Sequence, residues 1–165
     1  MSAPVRQADN AASAGEIAAH LELCDSRFVP RLSERVDIGA YAAKIAAHAV
    51  RFEAWSGGEL VGLVAAYCND AARATAFITS VSVLETWSGA GIAAALVRRC
   101  CEYAKLRSLR QVRLEVAAAN ADAIRLYERC GFTVAERSDS WLTMTIQLPA
   151  MERQEAYDGH ARLRR

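Results

Sequence analysis

The sequence predicts an α/β fold with a mixed, mostly antiparallel sheet flanked by helices. Three observations carry that expectation. Some stretches repeat apolar residues at intervals of three and four, while others alternate or run continuously in β-branched residues. The two kinds of stretch intermingle along the chain instead of forming separate blocks. The 165 residues suffice for one domain with a sizeable core and are short for two.

Ser13 followed by Glu16 forms a capping-box pattern and starts a helix that runs to about Cys24. After an irregular stretch around Pro30, the spacing of Ile38, Tyr41, Ala42, Ile45 and Ala49 predicts a second helix. Val50 to Trp55 alternates, Ser56-Gly57-Gly58-Glu59 reads as a turn, and Leu60 to Tyr67 is an apolar strand, so these segments form a hairpin. Asn69-Asp70 marks the next turn, and Thr75 to Leu84 reads as a long β-branched strand.

The chain breaks at Gly89 and Gly91. A helix follows from about Gly91 to Leu106, with Ile92, Ala95, Leu96, Arg99, Cys100 and Tyr103 marking its period. A strand over Val112–Val116, a helix over Ala121–Arg129 and two strands over Phe132–Glu136 and Trp141–Leu148 complete a single domain spanning 1–149. Residues 150–165 turn polar and charged and read as a solvated tail.

Composition narrows the function. A net charge of +1, with no basic stripe before the tail, argues against a nucleic-acid partner. No apolar run approaches the roughly 18 residues that span a bilayer, which argues against a membrane partner. Met1 to Asn10 lacks the basic-then-apolar pattern of a signal peptide, so a cytoplasmic location is expected. Cys24, Cys68, Cys100, Cys101 and Cys130 are odd in number and share no ligand spacing with His20, His48 and His160. Reduced thiols packed as small hydrophobes, and no metal, are expected.

The chemistry concentrates after the long strand, in Ser88-Gly89-Ala90-Gly91-Ile92-Ala93. Glycines at a helix start let backbone amides approach a ligand, and the unpaired first-turn amides suit a pyrophosphate. The glycines alone are equally compatible with an empty turn. Gly89, Gly91 and Ala94 also match the dinucleotide fingerprint, with Glu115 in the place of its ribose-binding acid. Against a nicotinamide enzyme, Glu115 lies beyond the fingerprint's spacing of about 20 residues. Too few strands also remain for a doubly wound sheet. A P-loop is excluded because no Gly-Lys-Ser/Thr follows.

A second constellation lies downstream: Leu114-Glu115-Val116, Asn120, Ala123-Ile124, Leu126-Tyr127-Glu128 and Gly131-Phe132. Together with the glycine turn it resembles the GCN5-related N-acetyltransferase superfamily, most strongly over Phe77 to Val134. That family couples an Arg/Gln-x-x-Gly-x-Gly/Ala turn to Asn-x-x-Ala-x-x-x-Tyr and Gly-Phe. Here Ser88 stands where arginine or glutamine is usual.

The resemblance implies a sheet splayed in the middle to take acetyl-CoA as acyl donor. Backbone groups of Val81 and Val83 would bond the pantetheine as an added strand, and amides from Gly89 to Ala93 would hold the pyrophosphate. Ser88 would leave that grip mainly to the backbone. Asn120 would lie near the pantetheine, and Tyr127 would protonate the departing thiolate. Glu115 lies in a segment similar to the ribosomal-protein alanine acetylases, where the glutamate is a proposed base, acting directly or through water. Strand alternation sets it on the face opposite Leu114 and Val116.

Direct transfer to a primary amine follows, with a homodimer allowed. The stretch from Phe28 to Asp37 differs from peptide-acetylating relatives, which favours a small amine or amino sugar over a protein N-terminus. Glu34, Asp37, Glu53 and Asp70 fall where such a family builds its acceptor pocket, and an acid there would attract an ammonium, although each taken alone reads as a solvated surface charge. A non-catalytic acyl-CoA-binding module of the same fold is the alternative.

Overall fold

The computed structural model describes residues 3–150. In chain order they form β1 (Arg6–Asp9), α1 (Ala14–Cys24), α2 (Ile38–His48), β2 (Val50–Ser56), β3 (Glu59–Asp70) and β4 (Thr75–Val83). Then come α3 (Ile92–Leu106), β5 (Gln111–Ala117), α4 (Ala121–Arg129), β6 (Thr133–Arg137) and β7 (Trp141–Gln147). Single 3-10 turns occupy Asp25–Arg27, Leu32–Glu34 and Glu85–Trp87. Apart from Ala150, which is exposed, the expected tail lies outside the described residues, as does His160.

The capping box forms as expected, with the Glu16 amide donating to Ser13 Oγ at 3.1 Å and the Ser13 amide to Glu16 Oε1 at 3.0 Å. The strands make one sheet in the order β1-β2-β3-β4-β5-β7-β6. Every neighbouring pair is antiparallel except β4 and β5. Leu60, Leu63 and Ala65 pack with Ile17, Leu21, Ala42 and Ile45 of α1 and α2. Val61, Val64 and Ala66 pack with Leu96, Val97 and Cys100 of α3. The β3 segment reads as a continuous apolar run because helices cover both its faces.

Two boundaries differ from the sequence expectation. Strand β1 has no apolar alternation and is mostly exposed; it exists through backbone pairing to the β2 edge. Strand β3 runs through Asn69-Asp70, pairing Asp70 with Thr75, so the turn falls at 71–74. There the Asp70 carboxylate accepts from the Arg73 amide at 3.1 Å, closing the turn one step later than the Asn-Asp signal suggests.

Strands β4 and β5 pair only from Thr75 with Gln111 to Ile78 with Leu114. Beyond that point the sheet splays. The β4 ladder to β3 shifts register at the same place, because Ala65 faces Ser80 while Ala66 faces Ile78, which leaves Thr79 as a bulge.

Helix α3 approaches the sheet through Gly62. A Cβ on this residue would lie 2.7 Å from Ile92 Cγ2 and 3.3 Å from Leu96 Cδ1. Gly62→Val is therefore expected to cost about 1–3 kcal/mol by overpacking. Thermal melting should show a Tm several degrees lower, and an unchanged Tm would contradict this packing.

Candidate active site

Where β5 leaves β4, the facing edges of the two strands lose their partners. The Leu84 amide donates to the Val61 carbonyl at 2.9 Å, on the β3 side. Peptide groups alternate sides along a ladder strand, so those of Val81 and Val83 turn to the open edge. At Thr79 the bulge interrupts this alternation, and the backbone makes a different contact. Its carbonyl accepts from the Tyr41 hydroxyl, which reaches across from α2 at 2.7 Å. An extended ligand could add to this edge as a further strand.

The splay encloses a cavity of about 220 Å³. Val81, Val83, Ala93, Glu115, Asn120 and Tyr127, all expected at the site from sequence, line it together. Ala90, Gly91 and Ile92 instead line a neighbouring depression with Trp87, while Ser88 and Gly89 line neither and are exposed.

Gly89 (φ 81°) and Gly91 (φ 78°) adopt the left-handed conformation that a Cβ would strain. Gly91 is the N-cap of α3 and brings no side chain to it, and the first intrahelical bond is Ala95 N–H to Gly91 O at 3.1 Å. The amides of Ile92, Ala93 and Ala94 therefore have no partner within the helix and suit an anion. Ser88 does not point its hydroxyl there. Its Oγ donates to the Glu85 carbonyl at 2.7 Å, closing the turn.

Tyr127 stands on α4 with 7% of its surface exposed, its ring 6.0 Å from that of Phe132. Burial pushes its hydroxyl well above the ordinary tyrosine range, so the proton stays on the oxygen at any working pH. That hydroxyl makes none of the side-chain hydrogen bonds found among the described residues. Asn120 does more than line the cavity. Its Oδ1 accepts from the Ala123 amide at 3.3 Å and caps α4, a role that asparagine immediately before a helix signals. Gly131, at φ 100°, ends the same helix as expected. Glu115 is exposed between buried Leu114 and Val116 and faces Thr143 of β7 in register.

The acidic residues expected around an acceptor are elsewhere. Glu53 is fully buried under the β1–α1 connection, Asp37 caps α2 through the Ala40 amide at 2.8 Å, and Asp70 closes the β3–β4 turn. Glu34 is exposed and does not line the cavity. Another wall of the cavity is formed by the segment joining α1 to α2, which contributes Arg27, Phe28, Val29, Leu32 and Arg35, and by Tyr41. Sequence periodicity cannot reveal these residues, because the segment is built of 3-10 turns.

His20, isolated in sequence, is a brace in space. Its Nδ1 donates to the Leu60 carbonyl at 2.9 Å, so Nε2 is the acceptor for the Ser82 hydroxyl, also at 2.9 Å. Burial lowers its pKa and keeps the ring neutral. The five cysteines are free, and burial raises the pKa of each, so they behave as packing groups.

Comparison with known proteins identifies the fold and the family. An uncharacterized N-acetyltransferase of Methanocaldococcus jannaschii is 40% identical over 95 residues, covering 55% of this chain and 42% of that protein. Rat N-acetylaspartate synthetase is 35% identical over 96 residues, covering 58% of this chain and 32% of that protein. The matched stretch thus spans less than half the length of either relative. The structure of a Salmonella typhimurium acetyltransferase with acetyl-CoA superposes with a TM-score of 0.69 at 21% identity, covering 87% of this chain and 94% of that one. The model of the acetyltransferase (GNAT) family matches residues 17–132, which takes in the splayed strands, the glycine turn, Asn120 and Tyr127; the chain belongs to that family.

Proposed function

We propose that the chain is an acetyl-CoA-dependent N-acetyltransferase that moves the acetyl group directly to a primary amine in a ternary complex. The observation that carries this reading is the open β4 edge at Val81 and Val83, sharing one cavity with Tyr127 and Glu115. Val81 and Val83 hold the donor's amide-rich arm as an added strand, and the amides from Gly89 to Ala93 take its pyrophosphate. Binding in the gap brings the thioester beside Tyr127.

A protonated alkylamine, with a pKa near 10.4, cannot attack. Glu115 accepts its proton, directly or through a water. The free amine attacks the carbonyl carbon, the new C–N bond forms, the C–S bond breaks, and the nitrogen releases its second proton to solvent. Tyr127 gives its proton to the departing thiolate and recovers one from solvent. A small amine or amino sugar is the favoured acceptor over a peptide N-terminus, because the stretch from Phe28 to Asp37, which contributes Phe28, Val29, Leu32 and Arg35 to the cavity lining, differs from that of peptide-acetylating relatives.

The test is thiol release from acetyl-CoA with a panel of amines, amino sugars, amino acids and peptides. Release with at least one class is expected. No release across the panel, with coenzyme A still raising the Tm, would leave a non-catalytic acyl-CoA-binding module. Stabilisation by NAD in place of coenzyme A would overturn the reading altogether. Glu115→Gln is expected to lower kcat/KM by roughly 10²-fold near neutral pH. The deficit should shrink as pH rises and more acceptor is already unprotonated. A pH-independent deficit would remove Glu115 from the proton path.

A further inference from the structure

We infer that the acceptor half of the cleft is built for a primary amine that also bears an oxyanion, a carboxylate or a phosphate, held by Arg27 and Arg35. This rests on the acyl-transfer reading of the same cleft and names its substrate class. The acceptor wall is the segment from Asp25 to Asp37, and the only charged groups it contributes to the cavity lining are these two arginines. Neither is in an ion pair among the described residues.

Glu34, next to Arg35 in sequence, is exposed and does not line the cavity, and the acid nearest Arg27 is already occupied. Asp25 accepts from the Ser33 amide and the Ser33 hydroxyl, each at 2.7 Å, and pairs with Arg31 at 3.6 Å. Those bonds hold its carboxyl below the usual range and fasten the two ends of the wall together. Asp37 is committed to its helix cap. Among the described residues Glu115, on the opposite wall, is the one carboxylate lining the cavity, against two guanidinium groups. A cleft with that balance repels an acceptor that is only cationic and attracts one with a compensating negative group.

The arginines are placed to use that charge. Arg35 lies over the Trp141 ring at 5.1 Å, and Trp141 belongs to β7, so the side chain crosses from the acceptor wall to the sheet. In that position its side-chain N–H donors have no partner among the described residues and are open to a two-point bond to an oxyanion. Burial raises the pKa of the Tyr41 hydroxyl and of the Cys24 thiol, and the charges of Arg35 and Arg27, respectively, act against that rise. Both of those groups line the cavity, so both guanidinium charges are felt inside it. The donor's pyrophosphate does not account for them, since Ala90, Gly91 and Ile92 border a different depression in which neither arginine takes part.

The experiment is calorimetric titration of the CoA-saturated full chain, which needs no turnover. The ligands are L-aspartate, L-glutamate and β-alanine against their fully amidated counterparts, and O-phosphoethanolamine against ethanolamine. In at least one pair the anionic member should bind about tenfold tighter, and the pair that shows it identifies carboxylate or phosphate. That preference should fall with added salt and should disappear in Arg35→Gln and weaken in Arg27→Gln, with coenzyme A affinity unchanged. Equal or tighter binding of the neutral members overturns the inference, as does a preference that survives both substitutions. Absence of binding in every pair, or loss of coenzyme A affinity in the variants, also overturns it. The acyl-transfer reading fails separately, in the thiol-release assay.

Discussion

Tyr127→Phe is expected to reduce kcat by roughly 10²-fold or more while leaving coenzyme A affinity within about twofold. The substitution removes one oxygen and keeps the ring, so the contact with Phe132 at 6.0 Å survives and the core around α4 stays filled. Its consequence is therefore confined to the proton. A thiolate leaving from a thioester needs one, and burial keeps the Tyr127 hydroxyl protonated well above the ordinary tyrosine range.

The sign of that shift fixes the pH behaviour. A raised pKa means the acid form persists as pH rises through 10, so Tyr127 contributes no descending alkaline limb to the wild-type profile. The ascending limb belongs to the acceptor amine and its base. Steady-state kinetics with a saturating acceptor, together with calorimetry for coenzyme A, separate the two halves of the expectation. Unchanged kcat would remove Tyr127 from the proton transfer. Weakened coenzyme A binding would make it a binding group.

How far the sequence foretells this site depends on what each part is made of. Helices α1 and α2 are legible because capping and a three-four apolar period are local properties. Strand β1 is not, because four mostly exposed residues pair only through backbone and leave no pattern. The splay between β4 and β5 has no local mark either. It follows from where parallel pairing stops, at Ile78 and Leu114, and from the bulge at Thr79, so only the resemblance carried by Gly89, Gly91, Asn120 and Tyr127 foretells it.

The donor half of the cleft is thus readable, since backbone groups and a glycine turn recur with fixed spacing. The acceptor half is not. Arg27 and Arg35 sit on a segment whose shape comes from the Asp25–Ser33 bonds and the 3-10 turns beside them. Charged residues in a strand invite the opposite mistake: Glu53 in Val50–Ser56 reads as a solvent-facing acid and is one of the most buried side chains in the protein.

Glu53 leads to the second large effect, on stability instead of turnover. Its carboxylate accepts from the Ala11 amide at 3.1 Å, from the Ala12 amide at 3.1 and 3.2 Å, and from Trp55 Nε1 at 3.0 Å. Arg51 Nε lies 3.6 Å away, an ion-pair distance too long for a hydrogen bond. The same guanidinium donates to the carbonyls of Ala46 and Ala12 at 3.1 and 2.9 Å. One buried acid therefore ties the β1–α1 connection to β2 and neutralises a buried arginine.

Glu53→Ala would strand two amides and an indole N–H without their acceptor and a buried guanidinium without its counter-charge, a loss of about 3–5 kcal/mol. Against a total stability of roughly 5–15 kcal/mol that is a large share. For a chain of this size it corresponds to a Tm lower by on the order of 10 °C. Glu53→Gln keeps an oxygen for the amides but leaves Arg51 uncompensated, so its Tm should fall between those of wild type and Glu53→Ala. Below the melting range, coenzyme A affinity and acceptor KM should match wild type in both variants, because Glu53 does not line the cavity. An acid that attracted the acceptor would produce the reverse: a raised KM with the Tm preserved. Thermal melts and acceptor saturation curves on the same two proteins decide between the two roles.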